Sequence, residues 1–230
     1  MPHAVTILHD RLVAERFPGH VTSAVLVWGE DALAPREGAV DELRARVAAD
    51  GGTEAARRAG AAWRDVYAAM GAKPKYRSSV EVLLNGYEER GGVPAPVPLV
   101  ELYCWYSLAR GVPMAGYRPE GISGALRLTV PGKGLRFTPL GQPRAEPERT
   151  RKGEVAYVDD EKAICRYWNC RDCDQTKLEA GVTEALFVFD LLDEDPRDIA
   201  SGLVDLLAGP PEHSAGFVDG RDREELALGA

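Results

Sequence analysis

The run Cys165-Arg166-Tyr167-Trp168-Asn169-Cys170-Arg171-Asp172 decides the reading of the fold, because an apolar strand, Ala163 to Tyr167, ends there among planar and charged side chains. Immediately upstream, Asp159-Asp160-Glu161-Lys162 reads as the tip of a hairpin joining this strand to another over Val155 to Val158. Two further short strands are expected over Ala125 to Val130 and Leu135 to Thr138. Downstream, Leu186 to Leu192 is a continuous apolar and aromatic run of the length of a buried strand. Pro196 then opens a helix through Ile199, Leu203, Leu206 and Leu207.

The first half is helical after two opening strands. Val5 to Leu8 and Val21 to Trp28 read as strands, separated by a short polar helix and by Phe17-Pro18-Gly19. Leu43, Val47, Trp63, Val66 and Met70 recur at helical spacing around a Gly51-Gly52 break, which predicts a helical hairpin over residues 35–71 on the surface of the sheet. Ser78 stands three residues before Glu81, the capping-box spacing, and Val80, Leu83, Leu84 and Tyr87 give the apolar face of the helix it starts. Pro98 suits the first turn of a helix over Leu99 to Arg110, stopped by Gly111-Val112-Pro113. Residues 1–208 read as one mixed α and β domain, and residues 209–230 as a polar tail, loose or only locally docked.

At 230 residues and 45% hydrophobic, the chain can bury a substantial core. A net charge of -8 argues against a general polyanion or DNA binder, since phosphate affinity comes from clustered Lys and Arg. A local patch remains open: Arg144, Arg149, Arg151 and Lys152 form either a solvated loop or a contact for an RNA backbone. Without an export signal or a run of about 18 apolar residues, the expectation is a soluble cytoplasmic protein off the membrane. Its four cysteines then stay reduced.

Four segments concentrate polar groups beside turns and are candidates for one convergent pocket. Arg77, Ser78, Ser79 and Glu81 sit at a helix start, suited either to capping or to holding an electron-rich oxygen. Glu101, Cys104 and Ser107 share a helix face, where Cys104 is a packing thiol unless an activating cation lies near. Pro113-Met114-Ala115-Gly116-Tyr117 reads as a small-residue turn that lets backbone approach a ligand. Arg166, Trp168, Asn169, Arg171, Asp172 and Thr176 supply planes, an amide and guanidinium groups for a ribose, an adenine or an amino acid, or else satisfy one another in a turn. Cys170-Arg171-Asp172-Cys173 is a C-x2-C pair with Cys165 nearby, but a structural zinc site wants four ligands, so no metal and no cofactor is assigned. Phosphate-loop, nucleophile-elbow, zinc-protease and dinucleotide fingerprints are absent.

In order, Arg77-Ser78-Ser79-Val80-Glu81-Val82-Leu83-Leu84, Leu99-Val100-Glu101-Leu102-Tyr103, Val112-Pro113-Met114-Ala115-Gly116-Tyr117, Gly153-Glu154-Val155-Ala156-Tyr157-Val158-Asp159-Asp160 and Arg166-Tyr167-Trp168-Asn169-Cys170-Arg171-Asp172 with Thr176 resemble the motif series of freestanding B3/4 domains, related to the editing domain of the phenylalanyl-tRNA synthetase beta subunit. The resemblance runs from the first strand to about Leu207. It implies an α+β fold: a β-sandwich-like mixed sheet core with helices packed around it. It also implies a pocket that hydrolyses the ester of a mischarged aminoacyl-tRNA in trans, or, as the alternative, a noncatalytic module for tRNA or an amino acid. The partner is then the 3′ end of an aminoacyl-tRNA or an amino acid. In that frame Arg77, Glu81, Asn169 and Arg171 are expected to be catalytic. Ser78, Ser79, Glu101, Cys104, Gly116, Tyr117, Arg166, Trp168, Asp172 and Thr176 are expected to bind substrate. Glu101 and Cys104 depart from the Asp and Asn that family members often carry. Lacking the catalytic core and anticodon modules of the synthetase, the chain is not expected to aminoacylate.

Overall fold

The apolar run over Leu186 to Leu192 lies at the centre of a sheet that is covered on both faces. In the computed structural model, which describes residues 2–132, 134–192, 196–209, 214–215 and 225–228, the chain opens with strand β1 (Val5–His9), helix α1 (Arg11–Arg16) and strand β2 (His20–Trp28). Helices α2 (Ala39–Ala48), α3 (Glu54–Met70), α4 (Ser79–Arg90) and α5 (Pro98–Arg110) follow. Next come strands β3 (Met114–Tyr117), β4 (Leu126–Thr129), β5 (Arg136–Phe137), β6 (Glu148–Arg149), β7 (Ala156–Val158), β8 (Ala163–Arg166), β9 (Arg171–Asp172) and β10 (Glu184–Leu192). Helix α6 (Pro196–Val204) and strands β11 (Ser214–Ala215) and β12 (Glu225–Leu228) close the list of elements.

The strands form a six-stranded sheet, β12-β1-β4-β7-β8-β9, a four-stranded sheet, β11-β2-β10-β3, and a small β5-β6 ribbon. The first is mixed, because β1 runs parallel to β4 while its other pairs are antiparallel. β10 pairs along its whole length with β2, from Glu184 opposite Trp28 to Leu192 opposite His20. Successive side chains of β10 point to opposite faces. Phe187, Phe189 and Leu191 join the helical cluster with Leu43, Leu84, Leu102 and Ile199. Leu186 and Val188 join the inter-sheet cluster with Ile7, Leu126, Leu128 and Ile164. A strand buried on both faces reads as an unbroken apolar run, and the architecture is the α+β one expected, a β-sandwich-like core of two sheets with helices packed around it. Truncating Phe187 or Phe189, both fully buried, costs about 3–5 kcal/mol by the usual large-to-small cost in a core.

The helix starts follow the local chemistry. Ser78 Oγ accepts from the Glu81 amide at 3.4 Å. Glu81 does not reach back to Ser78, as a capping box would require, because its carboxyl pairs with Arg64 at 2.7 Å and Arg77 at 3.3 Å. Gly111 ends α5 at φ +69, and a Cβ there would lie 2.4 Å from the Ala55 backbone, so both conformation and space demand glycine.

Several expectations need correction. Met114 to Tyr117 is not a turn but β3, an edge strand pairing Tyr117 with Leu186 and Met114 with Phe189. Pro113 and Gly116 mask its signal, because both are rare in strand interiors. The charged run Glu146 to Lys152 is not wholly a solvated loop, since Glu148–Arg149 is β6, paired with β5. The hairpin of α2 and α3 does not rest on the sheet surface alone: α3 sends Trp63, Tyr67 and Met70 into the core between the sheets. Two described pieces of the tail extend sheet edges, Ser214–Ala215 along β2 and Glu225–Leu228 along β1. No described helix is long and apolar enough to cross a membrane.

Candidate functional site

The residues singled out in the sequence fall into three places. The first is a cavity of about 410 Å³ between the start of α5, strand β3 and the turn after β9. Val97 at the N-cap of α5, Val100 and Tyr103 on the helix, and Leu178 supply apolar walls, while Gly116, Tyr117 and Asp172 form the side toward the sheets. Gly116 is there because a larger residue does not fit: a Cβ would lie 2.6 Å from Leu178 and 3.0 Å from the Tyr103 ring. Leu140 stands at the rim with half its surface exposed. The Arg118 guanidinium braces the far wall by donating to the carbonyls of Gln175 and Lys177, each at 3.0 Å.

The polar feature of this cavity is Asp172, which accepts from the Tyr117 hydroxyl at 2.9 Å. Protein atoms surround Asp172 on most sides, yet it stays half-buried in exposure because one side faces the cavity. Desolvation raises its pKa above the ordinary aspartate value, with the Cys165 and Tyr117 hydrogen bonds opposing that rise. Burial likewise pushes the Tyr117 phenol well up. A hydroxyl and a carboxyl side by side at an otherwise apolar wall give a guest a hydrogen-bonding end.

The second place is a sealed polar centre between the sheets. Asp190 meets His20 Nε2 at 2.9 Å, the Tyr157 hydroxyl at 2.6 Å, Trp168 Nε1 at 3.1 Å and Asn169 Nδ2 at 3.1 Å. Asn169 Oδ1 in turn accepts from the Tyr67 hydroxyl at 3.2 Å, and the Asn169 carbonyl accepts from the Ser79 amide at 3.1 Å. Trp168 is fully buried and Asn169 nearly so. The chain reaches this centre through two consecutive left-handed residues, Tyr167 at φ 51 and Trp168 at φ 64. Aromatic residues rarely adopt that conformation, and here it turns the chain after β8 so that Tyr167 and Trp168 are both buried, Trp168 completely.

The third place is a set of ion pairs. Arg166 forks onto Glu154 at 2.9 and 2.8 Å and reaches Glu148 at 2.7 Å, while Arg171 grips Glu148 at 2.8 and 2.7 Å. Arg171 holds Glu148 below the usual carboxylate range. Arg166 is 2% exposed, so its guanidinium is committed to these two glutamates. Arg77 and Glu81 pair with each other and with Arg64 at the head of α4, where Glu81 Oε2 and Ser79 Oγ are buried without a partner. Glu101 pairs with Arg44 of α2, while Cys104, about one turn further along α5, is buried. Thr176 is buried against Cys173, 3.2 Å from its sulfur.

The structure therefore brings Gly116, Tyr117 and Asp172 together, and Trp168 with Asn169 and Ser79, but it holds Arg77 with Glu81, Arg166 with Arg171 around Glu148, and Glu101 with Arg44 in ion-pair sets of their own. Tyr103, Val97, Val100 and Leu178 were missed. Val100 and Tyr103 are three apart on α5 just after Val97 at its N-cap, and Leu178 is a lone apolar residue in a polar turn, so the signal was present. Burial raises all four thiols, Cys104 to about 12, which removes the thiolate a nucleophile needs. Among the described residues, no group of three or more His, Cys, Asp or Glu side chains is placed to hold a metal.

Comparison with known proteins gives one family. The sequence model of the B3/4 domain matches residues 62–200. No curated protein matches the chain. Among solved structures, an N-terminal fragment of the phenylalanyl-tRNA synthetase beta subunit from Pyrococcus horikoshii is similar over 95% of this chain and 55% of its own, at 9% identity and a TM-score of 0.48. The chain thus spans little more than half the length of that fragment.

Proposed function

The chain belongs to the B3/4 domain family, and from that premise we propose that it hydrolyses the ester of a mischarged aminoacyl-tRNA in trans, with the cavity beside Asp172 receiving the amino-acid side chain. The observation that carries this reading is the cavity itself: about 410 Å³, apolar on its α5 wall, with the Tyr117–Asp172 pair as its polar end. Its size suits an amino-acid side chain, and its α5 wall offers that side chain apolar contact.

The reaction asks for positioning more than for a nucleophile. Water adds to the ester carbonyl, the bond to the ribose oxygen breaks, and that oxygen takes up a proton, leaving a free amino acid and a tRNA hydroxyl. In this reading Val97, Val100, Tyr103 and Leu178 hold the side chain and exclude bulk water, and Gly116 sets the depth. Asp172 and Tyr117 select a side chain able to hydrogen-bond. Arg171 points to the opposite face of its strand from Asp172 and holds that strand through Glu148.

One observation favours the alternative of a noncatalytic binder for tRNA or an amino acid: Arg77, Glu81, Asn169 and Arg171 all have partners within the protein. A panel of mischarged tRNAs separates the two. The deacylase reading expects at least one pair to lose its ester about a hundredfold faster or more with the protein than without it, the low end of what positioned groups supply. Saturable binding with no acceleration for any pair replaces the enzyme by the binder.

A further inference from the structure

A second feature of the molecule lies away from the cavity. The loop between α3 and α4 and the turn before β7 meet at a cleft of about 130 Å³ lined by Lys73, Tyr76, Arg151, Lys152 and Tyr167. Lys73, Lys75, Arg151 and Lys152 are exposed. None of them has a carboxylate within ion-pair distance among the described residues, whereas Arg36, Arg44, Arg57, Arg64 and Arg127 each hold one. The carboxylate in the cleft, Glu154, is already taken by Arg166. On a chain of net charge -8, four exposed cations without an ion pair among the described residues, gathered in two adjoining loops, make a local positive patch.

The cleft also has an aromatic wall. Tyr76 stacks on Tyr167 with ring centroids 3.6 Å apart and 19° between planes, and the Lys75 ammonium lies 5.2 Å from the Tyr76 ring. Tyr167's hydroxyl is buried yet has no hydrogen-bond partner of good geometry, its stacking neighbour Tyr76 included. Cations spaced around a planar wall suit a phosphodiester backbone with bases beside it. A bilayer suits it less: the large exposed apolar side chains, Leu12, Val82 and Leu140, all lie outside these loops, so nothing here would insert among lipids.

We propose that Lys73, Lys75, Arg151 and Lys152, around the Tyr76–Tyr167 stack, form the surface that contacts the RNA backbone of the substrate. The proposal rests on the deacylase reading for the identity of the RNA, and on the cleft alone for its location. It gives an acidic protein a local site for a polyanion and separates that contact from the cavity where the ester reacts.

The test is fluorescence anisotropy with labelled uncharged tRNA at increasing salt, comparing the wild type with Lys73→Ala/Lys152→Ala. A matched control, Arg11→Ala/Arg90→Ala, removes two exposed cations that have carboxylate neighbours. The cleft variant is expected to bind about tenfold more weakly at low salt, with the log–log salt slope flattened by about 1.4 to 1.8, as for two lost phosphate contacts. The control should bind as the wild type does. Equal losses in both variants, an unchanged cleft variant, or a wild type that binds anionic phosphatidylserine vesicles but not tRNA would each overturn the proposal. Hydrolysis of a small aminoacyl ethyl ester should be unaffected by the cleft variant. If the wild type hydrolyses no ester yet tRNA binding still depends on Lys73 and Lys152, the deacylase reading falls and the RNA surface stands.

Discussion

Two aspartates deep in the same fold have opposite surroundings. Asp190 lies between the sheets with His20, Tyr157, Trp168 and Asn169 all directed at its two oxygens. Asp172 has the Tyr117 hydroxyl at one oxygen and a cavity alongside, and desolvation raises its pKa. A buried carboxyl that accepts from four side chains of different elements holds those elements together, whereas one that keeps an open side can hold a guest. Both are flanked by residues from the run that opens at Cys165, so nearness in sequence does not tell the two roles apart.

The largest expected effect tests the structural half of that contrast. Asp190→Ala leaves a buried indole N–H, an amide and a phenol without their acceptor, and is expected to cost about 4 kcal/mol, seen as a fall in the urea midpoint. A variant of near wild-type stability would show that the polar centre is dispensable. The next effect concerns the same centre. His9 packs edge-on to His20 with ring centroids 5.4 Å apart, and its Nε2 is buried without a partner. Burial, reinforced by His20, lowers the pKa of His9 from 6.5 to about 4. The unfolded chain then binds a proton that the folded chain refuses, so stability is fully present above pH 6.5 and declines as pH falls toward 4. The loss amounts to roughly 3 kcal/mol once both forms are protonated. Urea melts at pH 7 and pH 4.5 should show a smaller difference for His9→Gln than for the wild type; equal differences would exonerate His9.

The smallest effect on stability, and the sharpest on the cavity, comes from Gly116→Ala. Its Cβ meets Leu178 and Tyr103, which must shift at a cost of about 1 kcal/mol. Ligand affinity or deacylation should fall by about tenfold or more, the cost of a small misplacement in a shaped site. Unchanged activity with altered stability would move the site away from this cavity.

The long apolar strands and the helices with clear stops were legible in the sequence. β2 and β10 carry enough branched and aromatic bulk to announce themselves, and Ser78, Pro98 and Gly111 mark helix ends by local chemistry alone. The pairing of short polar strands was not legible. Glu148–Arg149 looks like any charged loop until β5 is placed beside it, and its Glu148 proves to bind both Arg166 and Arg171. The cavity was half legible: Gly116, Tyr117 and Asp172 were among the candidates, but what makes them converge is the pairing of β3 with β10, and the isolated signal for β3 was hidden by Pro113 and Gly116. Arg166 and Arg171 read as ligand-binding cations because the sequence does not show which glutamates will reach them.

The pairing of β2 with β10 also fixes the order in which the chain can settle. His20 and Asp190 stand 170 positions apart and meet across adjacent strands. During synthesis, the apolar strand His20–Trp28 leaves the ribosome long before its partner exists, so the four-stranded sheet cannot close until most of the chain has emerged. Such distant pairing is slow to form and leaves an unpaired, sticky edge in the interval. The molecule's early life therefore depends on the helices of its first half, or on a chaperone, to shield that strand until β10 arrives.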